Sequence, residues 1–164
     1  MKKYSPETTP IPHLPTIENW KQVPIQTPFF SRFFEDPLVP IGLFTEYSKN
    51  FFVDPIYSGL INSSPYKFNE MNGCLVGAYL RKSIVKKMVK ASTILKPRQM
   101  FLIWDAYRPL SVQKALFDYF VKKLVAQKGG EPADYITEAQ KFVSLPSDDV
   151  KKPSPHSTGA VVDL

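Results

Sequence analysis

Between Cys74 and Leu95 apolar residues recur at every third or fourth position: Leu75, Tyr79, Leu80, Ile84, Met88 and Val89, with Arg81, Lys82, Lys86, Lys87 and Lys90 between them. That spacing predicts an amphipathic helix with a lysine-rich solvent face, closed by Pro97. Next comes the short apolar run QMFLIW, Gln99–Trp104, which predicts a buried strand. A second helix opens at Pro109 or Ser111 and runs to about Lys128, with Val112, Ala115, Leu116, Tyr119, Phe120 and Leu124 as its stripe and Gly129-Gly130 as its stop. Pro132 starts a third helix reaching about Phe142. A polar, proline-bearing loop from Ser144 to Pro155 then leads to Gly159–Leu164, where AVVDL predicts a last strand.

The first forty residues read differently. They hold eight of the sixteen prolines, and each proline fixes φ and removes a backbone donor, so no long helix or central strand is expected there. Trp20 and the cluster PFFSRFF, Pro28–Phe34, would nevertheless be costly to leave in water. The expected organisation is a proline-rich extension over residues 1–46, packed as a strap on a domain formed by residues 47–164.

Length and composition narrow the class. The 164 residues suit one domain with a core, and 43% hydrophobic with 22% charged residues is ordinary for a globular protein. No run approaches the roughly 20 apolar residues that span a bilayer. The two N-terminal lysines are not followed by the apolar stretch of a secretory signal. Cys74 is the only cysteine, so no intrachain disulfide is possible and a cytoplasmic location is expected. The net charge of +6 is uneven: residues 1–80 carry six Lys/Arg against seven Asp/Glu, residues 81–164 fifteen against eight. Because those lysines sit at helical spacing among apolar residues, they read as solvated helix faces and not as a nucleic-acid surface.

The chemistry concentrates near the C-terminus. Ser154-Pro-His156 and Asp163 place a His and an Asp seven positions apart. In a straight strand these two would lie roughly 23 Å apart on opposite faces, whereas two ligands of one metal must converge to bonds of about 2 Å. Thr158-Gly159 could supply the necessary bend. Spacing alone leaves two readings open, half a metal site or a structural pair.

The stretch Ser154-x-His156-x-x-Gly159-x-x-x-Asp163 resembles the S-x-H-x-x-G-x-x-x-D signature of the zinc D,D-peptidases related to the D-alanyl-D-alanine dipeptidases. Trp104-Asp-Ala-Tyr-Arg-Pro109 is similar to the W-D-x-Y-R-P of the dipeptidase branch. More loosely, Tyr47-Ser-Lys-Asn-Phe51 with Pro55–Tyr57 resembles the family's N-F-x-G-x-x-x-Y region, with Val53-Asp54 where a glycine is usual. The resemblance covers about Tyr47–Leu164. It implies an α+β fold, with helices packed on a small antiparallel sheet that is incomplete at its C-terminal side. It implies His156 and Asp163 as ligands of a Zn2+ ion and Arg108 as the stabiliser of the oxyanion. Asp105 and Tyr107 would orient Arg108 or its loop, and Ser154 would either bind substrate or shape the turn. The implied activity is zinc-dependent hydrolysis of the D-alanyl-D-alanine dipeptide of cell-wall precursors. A D,D-carboxypeptidase acting on longer peptides and a non-catalytic, peptide-binding relative are the alternatives.

One part of the pattern is missing. A catalytic zinc takes three protein ligands and needs a base for its water, and in the family both come from a later E-x-x-H element. The sequence contains no such element. Its other histidine, His13, lies in the proline-rich leader, and Glu131 and Glu138 sit in no comparable motif. The 164 residues by themselves are therefore expected to be inactive. The oligomeric state is not legible here.

Overall fold

The computed structural model describes residues 36–42, 45–59, 64–67, 70–149 and 151–164; His13, Trp20 and Pro28–Phe34 lie outside them. In chain order the elements are β1 (Leu38–Ile41), β2 (Phe51–Val53), β3 (Ala78–Arg81), α1 (Lys82–Ser92), β4 (Phe101–Ile103), α2 (Leu110–Lys128) and α3 (Ile136–Ala139), with 3-10 turns at Ile56–Ser58, Pro132–Tyr135 and Pro155–Thr158. This is a small α+β arrangement, as expected. The sheet differs from the single antiparallel one: β1 and β3 pair antiparallel, while β2 and β4 form a separate parallel pair.

The first predicted helix is half right. Residues 78–81 form β3, and the helix begins only at Lys82. Tyr79 and Leu80 satisfy helical spacing, but all four residues of β3 are buried. Pairing with Leu38–Ile41 buries both faces of that stretch, which a half-solvated helix would not do. The partner strand is drawn from before Tyr47, within the proline-rich extension. The start of α1 is held from the same arm: the Asp36 carboxylate accepts from the Ser83 backbone N–H at 2.6 Å and from its hydroxyl at 2.7 Å. A negative charge there also complements the helix dipole.

The second helix matches its prediction at both ends, with Pro109 before Leu110 and Gly129 after Lys128. Its buried face is Val112, Gln113, Leu116, Phe117, Val121 and Leu124; Ala115, Tyr119 and Phe120 pack at the margin of the same cluster. The third predicted helix is shorter than expected. A 3-10 turn capped reciprocally by Glu131 and Asp134 leads into only four α-helical residues. Among the described residues the apolar side chains form a small cluster of Leu38, Tyr79 and Tyr107 and two larger ones. One lies between β1, β3, β4 and α1, around Leu80, Val85 and Ile103. The other lies under α2, around Leu116, Phe117 and Ala139. Among the described residues no helix is long and apolar enough to cross a membrane.

The predicted strand at Gly159–Leu164 is not formed. A 3-10 turn carries His156, Gly159 turns the chain at φ +69°, and the stretch forms one ladder pairing, a single antiparallel bridge of Asp163 with Asp105. That one bridge joins the two stretches that hold the chemistry.

Candidate metal centre

Strand β4 delivers the first half of the site. Ile103 is fully buried, and its carbonyl accepts from Asp54 N–H at 2.9 Å, while the Trp104 carbonyl accepts from Ile56 N–H at 3.0 Å. These bonds fix the start of Asp105–Pro109 against the β2 loop. Tyr107 N–H donates to the Tyr79 carbonyl at 2.9 Å, and the Tyr107 ring is buried with Leu38 and Tyr79. Tyr107 thus anchors the loop to β3 and the apolar interior.

Arg108 is buried and held from several sides. Its Nε and Nη2 donate to the same Asp105 oxygen at 2.9 and 2.6 Å, Nη1 donates to Gln113 Oε1 at 2.7 Å, and Nη2 donates to the Tyr57 hydroxyl at 3.1 Å. The guanidinium carbon also lies 4.7 Å from the centre of the Tyr57 ring, within cation–π range. Gln113 is oriented in turn by donating to the Ser144 carbonyl at 2.6 Å. Burial pushes the Tyr57 hydroxyl well above its ordinary pKa, so it stays neutral as a partner for the cation. The result is a cation with a fixed plane and little rotamer freedom. Asp163 Oδ2 lies 3.7 Å from Nη2.

The second half is the turn Pro155–Thr158. The Ser154 hydroxyl donates to the Leu145 carbonyl at 2.8 Å, and the residue is buried. Arg108 N–H donates to the His156 carbonyl at 3.2 Å. The Ser157 hydroxyl returns a bond to the Arg108 carbonyl at 3.1 Å. His156 Nδ1 lies 2.9 Å from the Ala106 carbonyl and 3.0 Å from Asp105 Oδ2. With two acceptors facing Nδ1, that nitrogen carries the proton, and Nε2 points to Asp163 Oδ1 at 3.4 Å. The bend at Gly159 therefore brings together two residues that a straight strand would hold far apart.

Burial works to lower the pKa of His156, but hydrogen bonds to the carboxylates of Asp105 and Asp163 outweigh it and raise the value to about 9. The same hydrogen bond, with the charge of His156, holds Asp163 below the usual carboxylate range. In the metal-free chain the clamp on His156 therefore stabilises the fold fully below about pH 6.5, the unfolded value, and is lost as pH rises through about 9. We expect wild type to lose more stability than His156→Gln between pH 6 and pH 9.5 in chemical unfolding. Equal losses would show that the clamp adds nothing.

Ligand atoms of Asp105, His156 and Asp163 all lie within 4.8 Å of one another. They are not equivalent. Bonds of 2.0–2.1 Å at tetrahedral angles put neighbouring ligand atoms roughly 3.3 Å apart, and His156 Nε2 and Asp163 Oδ1 stand at 3.4 Å. The contacting oxygen of Asp105 is already shared by Arg108 and His156 Nδ1. An outer carboxylate behind a metal-bound imidazole would stand in the same relation to Nδ1. The donor set thus fits a divalent cation on His156 and Asp163, with Asp105 behind them.

Among curated proteins, the chain is similar to a D-alanyl-D-alanine dipeptidase of Synechocystis sp., 26% identical over 144 aligned residues that cover 79% of this chain and 52% of the relative. The chain thus spans about half the length of the curated relative it matches. No family model matches the sequence, and no solved structure matches it.

The structure brings together Asp105, Arg108, His156 and Asp163, and sets Ser154 and Tyr107 in supporting positions beneath them. Two further partners of Arg108 emerge. Tyr57 carried a signal only as part of the loose upstream motif. Gln113 gave one that sequence reasoning passed over, a polar residue on the buried face of α2. Beside the guanidinium opens a small cleft of about 330 Å3, counting the solvent at its mouth, bordered by Tyr57, Leu75, Gly77, Trp104 and Arg108.

Proposed function

We propose that this chain carries one half of a zinc-dependent peptidase site for the D-alanyl-D-alanine dipeptide. His156 and Asp163 would hold the metal, and Arg108 would face the substrate. The observation that carries this reading is the 3.4 Å separation of His156 Nε2 and Asp163 Oδ1 beside a fixed guanidinium. The likeness to a relative named for that activity supports it.

When bound, zinc supplies a polarised carbonyl and a water of lowered pKa. The chain's own residues do the rest. Arg108 presents a permanent positive charge, locked by Asp105, Gln113 and Tyr57, to the carbonyl oxygen as it gains negative charge. Its four hydrogen bonds use four of its five N–H groups, so binding substrate costs little reorientation. Tyr57, Leu75 and Trp104 line the cleft beside the guanidinium, so a bound dipeptide would lie against them. Asp105 keeps the proton of His156 on Nδ1 and so leaves Nε2 as the ligand.

The 164 residues hold no E-x-x-H element of the kind that would bring a third ligand and a base, and they match 52% of the relative's length. The 164-residue chain would accordingly bind zinc weakly and hydrolyse nothing. A D,D-carboxypeptidase of the same superfamily would share all of these features, and a comparison of dipeptide with pentapeptide on a complete enzyme separates the two. For the chain itself, the test is zinc titration together with assay of D-alanyl-D-alanine hydrolysis. Zinc binding without hydrolysis is expected. Zinc-dependent hydrolysis would overturn the assignment of a missing base, and absence of zinc binding would overturn the metal reading.

A further inference from the structure

His156 and Asp163 sit on either side of Gly159, so whatever holds this bend sets the distance between them. Its front is tied to residues 106–108 through the bonds of His156 and Ser157 described above. Its back rests on β3 and β1. Arg81 N–H donates to the Gly159 carbonyl at 2.9 Å. The Arg81 side chain, only 6% exposed, donates from Nε to the Thr158 carbonyl at 2.9 Å and from Nη1 to the Asp36 carbonyl at 3.3 Å.

One rigid fork thus links the end of the ligand-bearing turn to the start of β1. The arm is closed on the same spot by Lys82 N–H, which donates to the Pro37 carbonyl at 2.9 Å, and by the Asp36 carboxylate on Ser83. Leu38 fills the remaining space. A Cβ placed on Gly159 would come within 2.4 Å of Leu38 Cδ2, so the turn and the arm are in direct contact with no room between them. Burying a guanidinium is costly unless its donors are used. Here they fix the direction of two carbonyls relative to each other, which a point charge or an apolar side chain could not do.

We propose that Arg81 is a positioning residue for the His156–Asp163 metal site, and that the arm Asp36–Leu38 belongs to the scaffold of that site through Arg81. The proposal rests on the reading of His156 and Asp163 as metal ligands. Loss of an outer partner typically lowers metal affinity by roughly 10–100-fold, and an effect at the lower end is expected because Arg81 acts through the turn.

The test uses the full 164-residue chain as wild type, Arg81→Met, Arg81→Lys and Val121→Ala. Val121→Ala, in the apolar cluster under α2, is the control for lost stability. Zinc affinity is measured at fixed pH against a chromophoric chelator. The ring nitrogens of His156 are followed by NMR without metal. Arg81→Met is expected to weaken zinc binding by roughly tenfold and to shift the His156 ring signals. Arg81→Lys, which keeps the charge but lacks the fork, is expected to fall between it and wild type. Val121→Ala should lower stability and leave both readouts unchanged. Unchanged affinity and ring signals in Arg81→Met would overturn the proposal, as would an equal effect of Val121→Ala. If Arg81→Met does not fold, Arg81→Lys decides by the same two readouts. If the wild-type chain binds no zinc, the metal reading fails, and the positioning claim stands or falls on the metal-free His156 signals.

Discussion

Replacing Arg108 with alanine is expected to destabilise the fold by roughly 3–5 kcal/mol, the usual cost of leaving one partner of a buried ion pair alone. Asp105 and Arg108 are both nearly inaccessible, with side chains 10% and 7% exposed. In Arg108→Ala the Asp105 carboxylate would keep only His156, and Gln113 and Tyr57 would each lose a charged partner. Each of those losses leaves a polar group desolvated without its bond. Arg108→Lys retains the charge but cannot span Asp105, Gln113 and Tyr57 at once, so it should fall between alanine and wild type. Urea unfolding of the three proteins at one pH measures the differences, and the alanine variant should melt on the order of 10 °C lower. An alanine variant as stable as wild type would mean that the network is dispensable to the fold and that Arg108 is held in place by packing alone.

The second large effect separates the ligands from their support. If His156 and Asp163 hold the metal as proposed, His156→Ala should abolish measurable zinc binding, since only Asp163 would be left, half exposed and 3.7 Å from a guanidinium. Asp105→Asn should weaken binding by roughly 10–100-fold, the range for an outer carboxylate behind a ligating imidazole. The amide can still offer an oxygen to Arg108 or to Nδ1–H, but it carries no charge to raise the basicity of the ring. Titration of both variants with zinc, under conditions where wild type saturates, distinguishes the roles. If Asp105→Asn lost zinc as completely as His156→Ala, Asp105 would be a direct ligand and the assignment of two ligands would be wrong.

Local patterns carried much of this protein into view. The long helix α2 was legible from its stripe and its stop because Pro109 and Gly129-Gly130 act within a few residues of the positions they punctuate. Strand β4 was legible as an apolar run between polar residues. His156, Asp163, Asp105 and Arg108 were marked by the resemblance of their motifs to a family pattern, where spacing alone left the His–Asp pair undecided, and Gly159 stood out as the point where the chain could turn. Each of these depends on neighbours in sequence, so the sequence by itself determined them.

Other features depended on segments far apart along the chain. Residues 78–81 satisfy a helical period, and only pairing with Leu38–Ile41 makes them a strand. AVVDL has the composition of a strand, but it meets a partner at Asp105 alone and stays irregular. Gln113 reads as one polar interruption on an apolar stripe until Arg108 is found beside it. Arg81 reads as one more basic residue of a lysine-rich helix until Thr158 and Asp36 are seen to surround it. The decisive quantity, the 3.4 Å between His156 Nε2 and Asp163 Oδ1, belongs to the same group. The sequence determined which side chains were available and where the backbone could turn. Tertiary structure alone decided which of them meet, because burial and long-range pairing set those distances and neither is encoded in the spacing of adjacent residues.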